Sequence, residues 1–331
     1  MRVGVDARAL LAGRGVARVT RELLAALAEG HVADEWIAFI PGRAPVAPVH
    51  AGVKLVRHRL DGRTLFGAAA VVRRPTLAAL VGGADVVWLP APAPVAPGAP
   101  YVLTVHDRSW ERRPHDFSAY ERAWHALARP RALARAAAAV TADSHAVAGE
   151  LLTAWGVRAA VVSPGVAARP AAARDGRYLL YVGASEPRKA LDVLTAAHAR
   201  ARTRGLDAEL VLVGDGGRRV DDAELAALYA GALAVVQPSY LEGFGLPPLE
   251  AAAYGTPAVV SDLPCFAETL GDAAVRVAPG DVEALTVALL RIAGDADLRV
   301  RLGAAARERA AAYTWERAAG GLHALLAEAA A

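Results

Sequence analysis

Tyr178-Leu-Leu-Tyr-Val-Gly-Ala-Ser-Glu-Pro-Arg-Lys189 reads as one β-loop-α unit. Five apolar residues without alternation lead into a short polar loop, and an alanine-rich helix over residues 190–204 follows. A run that is apolar on every residue is what a parallel strand covered on both faces requires. The same rhythm extends outward in both directions. Apolar runs predict strands at residues 3–6, 36–40, 54–56, 86–89, 102–105, 138–141 and 160–162 before this unit, and at 209–213, 234–237, 257–260 and 275–277 after it. Helices fill the gaps, for instance over 16–28 and 281–292. Such repetition gives right-handed crossovers and doubly wound parallel sheets. The rhythm restarts at Tyr178, just after Ser163-Pro-Gly-Val-Ala-Ala-Arg-Pro-Ala-Ala-Ala-Arg-Asp-Gly176, a stretch with no periodicity. The expected fold is therefore α/β, with an N-terminal Rossmann-like lobe over 1–165, a linker over 166–176 and a C-terminal Rossmann-like lobe over 177–331. A cleft is expected between the lobes, and packing of the last helix back on the first lobe stays open.

The composition fits. The chain has 331 residues, 55% of them hydrophobic and 21% charged, enough for two domains with their own cores. Alanine accounts for 81 residues, which favours many helices over an oily protein. No apolar stretch reaches the length of a membrane span without a charge, and the N-terminal run turns acidic at Asp6, so neither a span nor a secretory signal is expected. One cysteine, Cys265, excludes a disulfide framework and a cysteine-rich zinc site and suggests a cytoplasmic setting. Residues 1–170 carry 21 basic and 13 acidic side chains, a charge of +8, and residues 171–331 carry 16 and 21, a charge of −5. That split points to an anionic partner for the first half or to mutual attraction of the lobes. Seven arginines (108, 112, 113, 122, 129, 131 and 135) surround Trp110 and Trp124. Basic residues mixed with aromatics suit an anionic acceptor or lipid headgroups, the alternative being a solvated basic face.

Four motifs carry candidate chemistry. Gly13 and Gly15 follow the first strand and allow close approach of a ligand to the backbone. Arg18 stands where a dinucleotide fingerprint needs its third glycine, so NAD is not expected. His106-Asp107 closes a buried-looking strand at the carboxyl edge, where ligands bind in this architecture; a hydrogen-bonded structural histidine is the alternative. Arg188 and Lys189 precede a helix start, where a bound phosphate would offset their clash with the helix dipole; a solvated charge pair is the bland reading. Ser239-Tyr-Leu-Glu-Gly-Phe-Gly-Leu-Pro-Pro-Leu-Glu-Ala-Ala-Ala-Tyr-Gly-Thr-Pro257 is the most informative stretch. Its prolines suit a first helical turn, leaving the Gly243-Phe244-Gly245 loop to present backbone N–H groups to an anion or to sugar hydroxyls. Glu242 lies in that loop and Glu250 about one turn into the helix. A glycosidase-like acid pair is the rival, disfavoured by their different settings. No nucleophile elbow, Walker A or H-E-x-x-H motif occurs, and Ser144 reads as a helix N-cap.

At these residues the sequence resembles the retaining nucleotide-sugar glycosyltransferases of family 4, with the two-lobed GT-B fold. The resemblance implies transfer of a hexosyl group from a nucleotide-diphosphate sugar with retention of anomeric configuration, without a metal or other cofactor. It implies that Arg188 and Lys189 neutralise the donor diphosphate and that Glu250 holds the ribose hydroxyls. Glu242, with the backbone N–H groups of Phe244, Gly245 and Leu246, would hold the sugar and diphosphate. Gly183 lies in the same donor-binding stretch as Arg188 and Lys189. His106 would contact the transferred sugar, and Gly13 and Gly15 would approach the diphosphate from the opposite lobe. Two departures stand out: Ala190 replaces the family's usual Asn, and the stretch from Gly214 to Asp222 runs almost directly into a helix. Family members usually have an extra helix and strand there, so the second lobe is expected to be shortened and its base pocket incomplete. The expected partners are a nucleotide sugar and an anionic or lipid-linked acceptor, with no nucleic acid; peripheral contact with the inner membrane face and a homodimer stay open. A GT-B-like scaffold that has lost catalysis and serves as a binding or partner subunit is the alternative.

Overall fold

The computed structural model describes residues 1–11, 15–174, 176–215 and 217–331. The apolar runs form strands with ends displaced by at most two residues. They are β1 (Arg2–Asp6), β2 (Glu35–Pro41), β3 (Val53–His58), β4 (Val86–Leu89), β5 (Tyr101–Val105), β6 (Ala139–Ala142), β7 (Ala160–Val161), β8 (Tyr178–Val182), β9 (Glu209–Val213), β10 (Ala234–Gln237), β11 (Ala258–Ser261) and β12 (Ala274–Val277). Two compact units result, one of residues 1–165 with 315–331 and one of residues 166–314.

In the first unit seven parallel strands lie in the order β3-β2-β1-β4-β5-β6-β7, with Val3 in register between Trp36 and Val86. The helices Gly15–Gly30 and Trp315–Ala330 cover one face of this sheet, burying Leu24, Leu27, Leu322 and Leu326 with Trp36 and Trp88. Phe39, Phe66, Leu77 and Trp155 fill the other face. The last helix lies here because Ala318, Ala319, Leu322 and Leu326 form a single buried stripe, each leucine contributing about 1.5–3 kcal/mol of burial. His323 on that helix reaches Asp34 at 2.7 Å and stacks on His31. Trp88 donates to Thr104 at 3.0 Å, and Thr104 accepts from Thr141 at 2.9 Å, satisfying the polar atoms between three neighbouring strands.

In the second unit five parallel strands lie in the order β12-β11-β10-β8-β9. That is the 2-1-3-4-5 doubly wound order, in which the strand order reverses between β8 and β10, and ligands bind outside the carboxyl ends of the strands at such a switch point. Leu194, Leu289 and Ile292 pack on one face, Leu249 and Phe266 on the other. The stretch expected as a linker is pinned along this unit: Val166 is buried and its N–H bonds the Tyr313 carbonyl, while Arg169 and Arg174 donate from their backbones to Tyr254 and to the Ala227 carbonyl. Among the described residues no helix or strand intervenes between β9 and the helix Asp222–Gly231. Arg218 returns its N–H to the Leu212 carbonyl at 3.0 Å, and Asp221 caps the helix. An added Cβ at Gly214 would sit 2.1 Å from the Gly183 carbonyl oxygen, so the turn closes against the loop after β8.

Candidate functional site

Both segments singled out in the second half emerge at the switch point of its sheet. After β8 the chain forms the turn Pro187–Lys189; after β10 it forms the loop that leads to the helix Leu246–Ala253. The two converge on Glu242, which is buried. Its carboxylate accepts from Lys189 Nζ at 2.6 Å, Ser239 Oγ at 2.7 Å and Gln237 Nε2 at 3.2 Å, and Arg188 lies 3.7 Å away. Arg188 also donates to Glu186 at 2.8 Å. Burial pushes the Glu242 carboxyl up, but Lys189 and Arg188 beside it overcome that and hold it below the usual carboxylate range. The cluster is thus two cations balanced by two carboxylates.

This corrects the sequence expectation in two respects. The cations do not stand at the start of the following helix, which begins at Leu191; Ala190, left-handed at φ 52°, separates them from it. Nor are they a solvated charge pair, because Glu242 and Glu186 compensate them. Gln237 aims its amide nitrogen at the Glu242 carboxylate, which fixes the amide's orientation and leaves Gln237 Oε1 buried without a hydrogen-bond partner among the described residues.

The glycine loop has a steric reason. Gly245 adopts φ +87°, and a Cβ there would fall 2.2 Å from Phe266; only glycine fits. Pro247 and Pro248 occupy the first turn of the helix. Among the described residues nothing accepts a hydrogen bond from the amides of Phe244, Gly245 or Leu246. Glu250 is buried on the same helix and accepts from Tyr229 Oη at 2.7 Å. It belongs to a separate bond set from Glu242. Gly183, next to Tyr181, bonds Val213 across the β8–β9 pair at 2.9 Å.

In the first unit, His106 follows β5 and its Nδ1 lies 2.7 Å from Asp143, which follows the neighbouring strand β6. Burial alone would lower this imidazole's pKa, but Asp143, with a smaller contribution from Asp107, raises it. Its Nε2 is buried without a hydrogen-bond partner among the described residues. Gly15 opens the helix Gly15–Gly30, and a Cβ there would meet nothing within 4 Å; Gly13 lies outside the described residues. Sequence reading passed over Asp143, although it directly precedes the Ser144 N-cap, whose hydroxyl accepts from Val147 as expected. It also passed over Tyr229, for which spacing carries no signal.

Two doubly wound parallel units in tandem define the GT-B class of glycosyltransferase folds. Solved structures agree: sucrose-phosphate synthase from Thermosynechococcus elongatus superposes with a TM-score of 0.79 at 20% identity over 99% of this chain and 98% of that one. WaaG, a glycosyltransferase involved in lipopolysaccharide biosynthesis, does so at 0.72 and 16% identity over 98% and 99%. The Glycosyltransferase Family 4 model matches residues 13–169, and the Glycosyl transferases group 1 model residues 217–309. O-antigen chain mannosyltransferase B of Escherichia coli is 35% identical over 162 residues, 42% of each chain. The MMP α-(1→4)-mannosyltransferase of Mycolicibacterium hassiacum is 31% identical over 266 residues, 67% of this chain and 64% of that one. The chain belongs to the family 4 glycosyltransferases with the GT-B fold. The chain thus spans less than two thirds of the length of either of these curated relatives.

Proposed function

We propose that the chain transfers a hexosyl group from a nucleotide-diphosphate sugar to an acceptor, with retention of anomeric configuration and without a metal ion. The observation that carries this reading is the Lys189–Arg188–Glu242 cluster at the switch point. Two cations held by the nearly buried Glu242 and the part-exposed Glu186 are preorganised to stabilise the negative charge that develops on a departing diphosphate. Glu242 and Glu186 keep these side chains oriented before a donor arrives; the donor's own charges then share them. The amides of Phe244, Gly245 and Leu246 add donors beside the same cluster. Glu250, oriented by Tyr229, would accept from ribose hydroxyls. His106, its pKa raised by Asp143, would turn its other ring nitrogen to the transferred sugar. No side chain is assigned as a covalent nucleophile; retention is ascribed to front-face attack assisted by the leaving phosphate.

The acceptor belongs with the first unit, whose sequence carries the positive charge, and an anionic or lipid-linked acceptor fits that charge. Among the described residues no helix is long and apolar enough to cross a membrane. The test is consumption of a panel of nucleotide-diphosphate hexoses by the purified chain, with the anomer of the released or transferred sugar followed by NMR. Release of the same anomer as the donor's supports the reading, and release of the opposite one removes retention. A second reading, a binding subunit without catalysis, is favoured by the short turn after β9. Nucleoside diphosphate binding with no turnover of any donor would establish it.

A further inference from the structure

The first unit contains a cationic cavity that the donor reading does not use. Its volume is about 740 Å³, and Arg122, Arg129, Arg131 and Arg135 line it with Trp110 and His125. Small-molecule sites span roughly 300–1,000 Å³.

The structure divides the basic face that the sequence presents as one. Arg108, Arg112 and Arg113 are each met by a carboxylate at 2.5 Å, from Glu111, Glu150 and Asp116 respectively. The four arginines of the cavity have no such partner among the described residues. Arg122 donates to the Phe117 carbonyl, and Arg135 places Nε and an Nη on the Trp155 carbonyl at 3.2 and 2.9 Å. Neutral acceptors hold these guanidinium groups in position but leave their charge uncompensated. The side chains of Arg129 and Arg131 make neither a hydrogen bond nor an ion pair among the described residues. Glu111, which also touches the cavity, is engaged by Arg108 and by the Trp155 indole at 3.0 Å.

Two further features point to a ligand. Arg129 adopts φ 47° at the C-cap of the helix Ala119–Ala128, a left-handed position that favours glycine. A strained, unpaired arginine facing a cavity is an outlier of the kind that accompanies function. His125 stacks on Trp110 at 4.6 Å with rings 11° apart. Its Nδ1 is buried without a hydrogen-bond partner among the described residues. Together the two rings give the cavity an aromatic wall.

Guanidinium forks match phosphate oxygens in charge and geometry. We propose that this cavity binds a phosphate-bearing ligand, at a site separate from the donor diphosphate cluster of the second unit.

The test titrates two probes into the full chain: glycerol 3-phosphate by calorimetry, and vesicles of phosphatidylcholine with and without phosphatidylglycerol by co-sedimentation. Arg129→Gly combined with Arg131→Gln removes the two unpaired charges and relieves the left-handed strain, so a thermal melt should show the fold retained. The double variant is expected to bind at least tenfold more weakly, while Lys189→Ala binds as the wild type does. Binding of glycerol 3-phosphate that the double variant loses identifies a soluble phosphate ester. Binding only to phosphatidylglycerol vesicles, lost in the same variant, identifies a lipid phosphate. Equal binding by wild type and double variant, no binding of either probe by the wild type, or a loss confined to Lys189→Ala would each overturn the proposal. Nucleoside diphosphate titrations of the same variants report on the donor site independently.

Discussion

Glu242→Gln keeps the shape of the side chain and removes the charge that balances Lys189 and Arg188. All three groups are largely buried, with side-chain exposures of 8% for Glu242, 13% for Lys189 and 16% for Arg188. At 2.6 Å and an effective dielectric constant near 20, the gross Coulomb attraction is about 6 kcal/mol. Desolvation of both ions offsets much of it, and removing one partner of a buried pair costs about 3–5 kcal/mol. Arg188 keeps Glu186 at 2.8 Å, so the loss should lie at the low end, about 3 kcal/mol. For a unit of roughly 150 residues, each kcal/mol moves the midpoint by about 2–4 °C. The second unit should therefore unfold roughly 6–12 °C earlier by scanning calorimetry. A folded-state pKa below the ordinary value contributes stability that is present above the unfolded value and lost as pH falls through the folded one. The difference between variant and wild type should persist near neutral pH and close only in acid. Adding a nucleoside diphosphate should restore more of the midpoint in the variant than it adds to the wild type, because the phosphates replace the missing negative charge. Equal midpoints near neutral pH, or a difference already closed by about pH 5, would refute the assignment of Glu242 as the counter-charge.

Glu250→Gln should weaken nucleoside diphosphate binding by about 1–3 kcal/mol through loss of a charged hydrogen bond; calorimetry showing unchanged affinity would remove Glu250 from the ribose. Asp143→Asn should lower the His106 pKa, followed by the imidazole NMR signals. A raised folded-state pKa contributes stability below the ordinary value near 6.5 that is lost as pH rises through the folded value, so the wild type alone should weaken at this site above about pH 6.5. An unmoved titration in the variant would contradict the dyad. With no helix or strand among the described residues between β9 and the helix Asp222–Gly231, the base is expected to lack a pocket wall. UDP, GDP and dTDP should then bind within roughly tenfold of one another, whereas a preference above roughly a hundredfold, about 2.8 kcal/mol, would contradict it.

The strands were legible because parallel strands buried on both faces leave continuous apolar runs, and β8 with its loop shows this in five residues. Topology was legible only as a class: that β8 lies beside β10, and so that Lys189 meets Glu242 across 53 residues of sequence, depends on strand order. The same holds for His106 and Asp143, 37 apart, which meet because β5 and β6 are neighbours. Local sequence showed Ser144 as a cap but carried no sign that the residue before it faces the next strand's end. The cations at 188–189 misled because dipole reasoning about a helix start took no account of the left-handed Ala190 or of Glu242. The basic face after His106 was legible only as a count of charges. Composition counts arginines, whereas pairing with Glu150 and Asp116 decides which of them remain uncompensated.

The most direct test of the account is the rate at which Lys189→Ala releases nucleoside diphosphate from the donor that the wild-type chain consumes. Lys189 supplies the compact charge closest to Glu242, and its loss should slow turnover roughly 100-fold or more, about 3 kcal/mol of transition-state stabilisation. Arg188→Ala should be similar or milder. Turnover within a few-fold of wild type in Lys189→Ala, with the fold intact by calorimetry, would contradict the placement of the donor diphosphate at this cluster.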